Sequence, residues 1–143
     1  MRRSAEDIET LLRGRGFSLT PQRRAIVRYL VERGGHWTAT ELLEGLTGEF
    51  PLASRATVYS TLTLLRELGV VAAVPGPTGD TRFDANPEAH QHFLCTRCGR
   101  LEDVPPEWFP VSVPEGIEPS FRVEHFRVVA EGLCGSCASS PTV

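Results

Sequence analysis

The 143-residue chain contains no lysine, so every one of its 15 basic side chains is an arginine. It contains no cysteine outside two Cys-x-x-Cys pairs, which leaves no unpaired thiol to serve a second purpose. Long apolar runs are missing too. The longest, such as Val70 to Val74, are far too short to cross a bilayer. The N-terminus, MRRSAEDIETLL, lacks the apolar core of about 7–15 residues that a secretory signal needs. A soluble cytoplasmic protein with no membrane partner is therefore expected. Hydrophobic residues at 41% and charged residues at 23% fit a globular chain rather than a disordered one. No internal repeat appears beyond the duplicated Cys-x-x-Cys.

The net charge of -3 lacks the strong positive excess of a protein that binds nucleic acid with its whole surface, but it hides a polarity. Residues 1–75 carry 10 arginines against 8 acids, and residues 76–143 carry 5 against 10. The basic half reads as short helices. Ile8, Leu11 and Leu12 form one apolar stripe. Thr20-Pro21 is an N-cap with proline at the first helical position, followed by Ile26, Val27, Leu30 and Val31 until Gly34-Gly35. Thr38 to Glu41 is a capping box leading into Leu42, Leu43 and Leu46. Ser54 caps a fourth helix with Val58, Leu62, Leu65 and Leu68 on one side and Gly69 at its end.

After Gly69 the period changes. Val70 to Val74 reads as a strand, Pro75 to Asp80 as a turn, and Thr81 to Asp84 as the returning strand. Helices followed by a hairpin describe a winged helix-turn-helix. On the fourth helix, the side away from the leucines carries Ala56, Tyr59, Ser60 and Thr63, mostly small residues with one aromatic, a composition that lets a backbone approach base edges in the major groove. Arg55 and Arg66 flank that face, and Arg13, Arg15, Arg23, Arg24 and Arg28 add positive charge for phosphates. A solvated helix face with ordinary surface arginines is the competing reading.

Residues 86 to 89 read as a linker between a unit at 1–85 and a unit at 90–143. In the second unit, His90 to Cys95 and Phe121 to Leu133 read as strands. A proline-rich stretch separates them, and the tail from Ala138 to Val143 is expected to fray. Cys95/Cys98 and Cys134/Cys137 lie 35 residues apart, the arrangement of two tight turns that converge on a tetrahedral structural Zn(II). Disulfides need an oxidising compartment, and a redox Cys-x-x-Cys needs a βαβ setting; neither is indicated. With four protein sulfurs the zinc has no open position and acts as a clamp.

His90-Gln91-His92 places two imidazoles on one side of a strand, with Cys95 on the other. If His36 and Asp84 reach across, and Asp103 joins them, the set becomes three nitrogens and two carboxylates. Sulfur-free ligation of that kind suits Fe(II) or Mn(II). The alternative is that these are ordinary polar residues.

Together these features resemble the ferric uptake regulator family, from about Arg13 to Cys137. The matching stretches are Leu19-Thr20-Pro21-Gln22-Arg23, His36-x-x-Ala39-x-Glu41-Leu42, Ala56-Thr57-Val58-Tyr59-x-x-Leu62, His90-x-His92-x-x-Cys95-x-x-Cys98-Gly99 and Gly132-Leu133-Cys134-x-x-Cys137. The resemblance implies an α+β chain: a winged helix-turn-helix followed by a small α/β dimerisation domain with a four-cysteine zinc. It implies a homodimeric, metal-dependent repressor on a palindromic double-stranded DNA operator.

Within the family, His36, Asp84, His90, His92 and Asp103 match the sensing site of the peroxide-responsive branch, where Fe(II) directs oxidation of a ligand histidine, here His36 or His90. A manganese- or iron-responsive uptake regulator is the alternative within the family. Outside it stand a metalloenzyme, for which no acid or base beyond the ligands is apparent, and a zinc-ribbon interaction module. The chain departs from the pattern in three places. Ala89 and Gln91 replace ligands of a further site, leaving His125 without the partners for a separate metal. Pro105, Pro106, Pro110 and Pro114 leave little room for the amphipathic helix usual at 104–120. Ser60 stands where an arginine is common.

Overall fold

The computed structural model describes residues 3–49, 54–86, 88–116, 122–124 and 126–140. It divides into two compact units, Met1–Glu88 and Ala89–Val143.

The first unit is built from locally encoded helices. Helix α1 (Ala5–Gly14) starts at a capping box in which Ser4 Oγ accepts from the Asp7 amide and Asp7 accepts from the Ser4 amide. Helix α2 (Pro21–Arg33) begins with Thr20 accepting from the Arg23 amide. Strand β1 (His36–Trp37) follows, then helix α3 (Ala39–Glu49), whose Thr38 and Glu41 cap each other's amides at 2.9 and 3.0 Å. Helix α4 (Arg55–Glu67) is capped by Ser54. Ile8, Leu12, Ile26, Val27, Leu42, Leu46, Val58, Leu62 and Leu65 are all at most 2% exposed and form one core. That burial is the main stabilising term.

The expected strand at Val70–Val74 starts later. Gly69 turns into the left-handed region at φ +68°, and the amides of Val70 and Val71 both donate back to the Leu65 carbonyl. Those two residues therefore finish the helix, and strand β2 spans Ala72–Pro75. Strand β3 (Thr81–Asp84) is central in an antiparallel β1-β3-β2 sheet, with both His36 and Ala72 opposite Asp84. This is the winged helix-turn-helix.

The second unit is a three-stranded sheet. Strand β4 (Gln91–Cys95) lies antiparallel to β5 (Leu101–Val104) and parallel to β6 (Val129–Gly132). The strand expected over Phe121–Leu133 is shorter than its sequence pattern: residues 122–124 and 126–128 are not strand, and Phe121 and His125 lie outside the described residues. Between β5 and β6 the described chain forms only a 3-10 turn, Pro106–Trp108, as the prolines require. Ala138, expected in a frayed tail, belongs to a short helix α5 (Gly135–Ser139); residues 141–143 are outside the description.

Apart from Cys95 and Cys134, the described buried hydrophobic residues of this unit are Leu94 and Val104. A core that small does not stabilise a unit of this length, so the unit depends on other ties.

Candidate functional site

The parallel register of β4 and β6 sets Cys95 beside Gly132, two residues before Cys134, and so brings the two Cys-x-x-Cys turns together. Thr96 ties them further, its amide and hydroxyl both reaching the Gly132 carbonyl at 2.8 and 3.2 Å. Arg97 Nη1 donates to the Cys137 carbonyl at 2.6 Å. The four Sγ atoms lie within 4.8 Å of one another, with Cys98 and Cys134 3.9 Å apart. Four thiolates around a zinc at about 2.3 Å stand about 3.8 Å from each other. The donor set and spacing fit Zn(II). Amides of Cys134 and then Cys98 directed at Cys95 hold its pKa down to about 6, whereas hydrogen bonding with the Cys134 thiol pushes Cys137 up to about 12. The cage thus already favours a thiolate at Cys95.

The histidines and aspartates fall into two groups, one in each unit. In the first unit, cross-strand pairing of β1 with β3 sets His36 against Asp84, with Nε2 and Oδ2 3.5 Å apart and both side chains buried. Asp84 Oδ1 also accepts from the Asn86 amide at 2.8 Å, which fixes the carboxylate. In the second unit, His90 and His92 project to one side, their rings 4.7 Å apart and edge to face. Both Nε2 atoms approach Asp103 Oδ1, at 3.6 and 3.4 Å, because His92 and Asp103 are register partners. These separations exceed good hydrogen-bond lengths. Each unit thus sets imidazole nitrogen beside carboxylate oxygen. Nitrogen and oxygen donors without sulfur match Fe(II) or Mn(II). His125 lies outside the described residues.

On α4, Arg55, Ala56, Tyr59, Ser60, Thr63 and Arg66 are exposed while Val58, Leu62 and Leu65 are buried, as the projection expects. Arg13 and Arg15 are exposed at the end of α1. Arg23 is partly buried and donates to the Ser18 carbonyl at 2.6 Å. Arg24 and Arg28 behave differently from the sequence reading: they flank the buried carboxylate of Glu9 at 3.4 and 3.3 Å, so the free charge on α1 and α2 is smaller than the arginine count. Sequence reasoning missed Glu9, although its place beside Ile8 and the i, i+4 spacing of its partners carried the signal. It also missed Arg82, two of whose partners, His36 and Glu41, are remote in the chain.

The fold and the donor clusters define a class: a winged-helix DNA-binding protein joined to a zinc-type α/β domain, with a second, sulfur-free set of metal donors. The model of the ferric uptake regulator family matches residues 14–110, and the chain belongs to that family. It is 35% identical over 133 residues to the peroxide-responsive repressor PerR of Staphylococcus saprophyticus, covering 92% of this chain and 90% of that protein. Among solved structures it resembles a zinc uptake regulator complexed with zinc and DNA, at TM-score 0.63 and 27% identity, covering 94% of this chain and 92% of that one. It also resembles the Campylobacter jejuni peroxide stress regulator, at TM-score 0.64 and 26% identity over 91% and 98% of the two chains. The protein is accordingly a metal-responsive transcriptional regulator of a family that binds DNA as dimers. It is not an enzyme, and the metalloenzyme reading falls.

Proposed function

We propose that the protein is a peroxide-responsive repressor whose regulatory metal is held by His36 and Asp84 together with His90, His92 and Asp103. Residues 86–89 act as the hinge between units 1–85 and 90–143, and Cys95, Cys98, Cys134 and Cys137 hold the structural zinc. The observation that carries the reading is the sulfur-free donor set, His36 on Asp84 and His90 with His92 on Asp103, in a chain 35% identical to PerR. Its place is the cytoplasm; among the described residues no helix is long and apolar enough to cross a membrane.

Fe(II), if held by these side chains, would supply one-electron redox chemistry with no net change in the iron, so that peroxide is reduced at the expense of an adjacent imidazole. The chain's part begins with position. His36 lies on β1 and Asp84 on β3, the strand that also forms the wing, so ligation bears directly on the DNA-reading unit. His92 is fixed by β4 and its register with Asp103 on β5, and His90 directly precedes that strand. Loss of one imidazole donor from the five weakens ligation and relaxes the hinge, and the operator is released. One peroxide oxygen ends on an imidazole carbon of His36 or His90, and the other leaves as water.

In the dimer, two α4 helices meet successive half-sites of a palindrome. Ala56, Tyr59, Ser60 and Thr63 face base edges, and Arg13, Arg15, Arg23 and Arg55 face phosphates.

The test is operator binding with Mn(II), Fe(II) or Zn(II), each with and without peroxide, followed by peptide mass spectrometry. The reading expects binding with Mn(II) or Fe(II), release by peroxide only with Fe(II), and about 16 Da added to a peptide containing His36 or His90. Release by chelation but never by peroxide, with every histidine peptide unmodified, assigns manganese- or iron-uptake control instead.

A further inference from the structure

Arg82 sits on β3 two residues before Asp84, and the period of two puts both on one face of the wing sheet. Its guanidinium is mostly buried, with 22% of the side chain exposed, and it meets three separate elements. Nη1 donates to the carbonyl of His36 on β1 at 3.3 Å. The same nitrogen stands 3.5 Å from Glu41 Oε2, the oxygen that also caps the start of α3 by accepting from the Thr38 amide. Nε stands 3.3 Å from Asp80 Oδ2 at the end of the wing turn.

The wing turn is organised around Asp80. Its Oδ1 takes the Thr78 amide and hydroxyl, its carbonyl takes the Gly76 amide, and it packs against Gly76 so closely that a Cβ there has no room. A shift of Asp80 therefore carries the whole turn. Glu41 likewise is tied to the first turn of α3, the helix that packs on α4. One planar fork thus connects the backbone of His36 to the wing turn on one side and to the helix-turn-helix on the other. A lysine, a single point charge, does not span these partners.

We propose that Arg82 is the positioning residue that transmits the state of the His36 ligand to the DNA-reading elements, through its contacts with the His36 carbonyl, Asp80 and Glu41. The inference rests on His36 being a regulatory metal ligand. It adds the route by which ligation in that strand changes the wing and α3 together.

The test is amide hydrogen exchange on the full-length, zinc-loaded protein with and without Mn(II), alongside Mn(II) titration. In the wild type, Mn(II) slows exchange in β1, in the wing turn at 76–80 and in the first turn of α3. In Arg82→Met, Mn(II) affinity stays within about threefold, protection of β1 persists, and the responses of wing and α3 are lost. In Asp80→Asn, the wing response is lost while that of α3 remains; this variant decides the matter if Arg82→Met does not fold. Wing and α3 responses in Arg82→Met equal to wild type overturn the proposal, as does loss of both responses in Asp80→Asn. A wild type in which Mn(II) protects nothing removes the metal reading itself, a failure seen before any variant is compared.

Discussion

Glu9 shows how the charge of one residue is balanced by packing. Its carboxylate is 7% exposed and lies between Arg24 and Arg28, whose side chains remain 43% and 50% exposed. A buried carboxylate with no partner is strongly destabilising; here two half-solvated guanidinium groups compensate it and pin α1 to α2. Because the arginines keep water on one side, Glu9→Gln costs about 1–2 kcal/mol rather than the larger penalty of a stranded buried charge. Arg24→Gln and Arg28→Gln each cost less, since the other arginine stays in place. Urea unfolding of the three variants checks the order. An Arg24 or Arg28 variant less stable than Glu9→Gln contradicts this account, and would mark that arginine as stabilising through its packing rather than its charge.

At the scale of elements, α2 and α3 meet where a side chain is missing. Tyr29 is 7% exposed and lies against Gly45, where an added Cβ would stand 2.6 Å from the ring carbon Cζ. The ring has little freedom to move: Trp37 packs on it edge to face at 5.3 Å and the Arg33 guanidinium lies 4.5 Å above it. Gly45→Ala therefore sets an overpacking cost of about 1–3 kcal/mol against a helix-propensity gain of about 1 kcal/mol. The net effect is destabilising, at roughly 4–8 °C of melting temperature per kcal/mol for a unit of this size. Differential scanning calorimetry decides it; an unchanged or raised melting temperature means that α2 and α3 separate at no cost.

The same scale explains what was legible in the sequence. Caps at Ser54, Thr20 and Thr38 act within three residues, and the structure uses each of them. The cysteine spacing and the His-x-His alternation are local for the same reason. Strand β1 is two residues long and has no period to read, and β5 is a strand because it pairs with β4 rather than because Leu-Glu-Asp-Val alternates. Arg82 was illegible for the same cause, since the carbonyl it binds lies 46 positions away.

For the molecule as a whole, the two units are stabilised by different means. Among the described residues, the first has a continuous apolar core and four helices; the second buries few apolar residues and exposes Trp108, Val111, Val113, Val123, Phe126 and Leu133. A surface of that kind suits a protein that functions as a dimer. Structural zinc contributes about 10–16 kcal/mol to small zinc domains. An ordinary domain has about 5–15 kcal/mol in total, so the metal term is as large as everything else that could hold the second unit. Zinc removal by a strong chelator under reducing conditions is therefore expected to unfold that unit and with it the dimer. The first unit should persist, because its core contains no zinc ligand. Since, among the described residues, α1 to α4 lie in the first unit and only short α5 in the second, helical circular dichroism should fall little. Sedimentation should meanwhile report a monomer, and DNA affinity should collapse through the loss of the dimer's bivalent binding. Re-addition of Zn(II), but not of Mn(II), should restore the dimer, because four thiolates select the softer ion. A chelated protein that sediments as a dimer, or one whose helical signal disappears with the zinc, contradicts this division of labour.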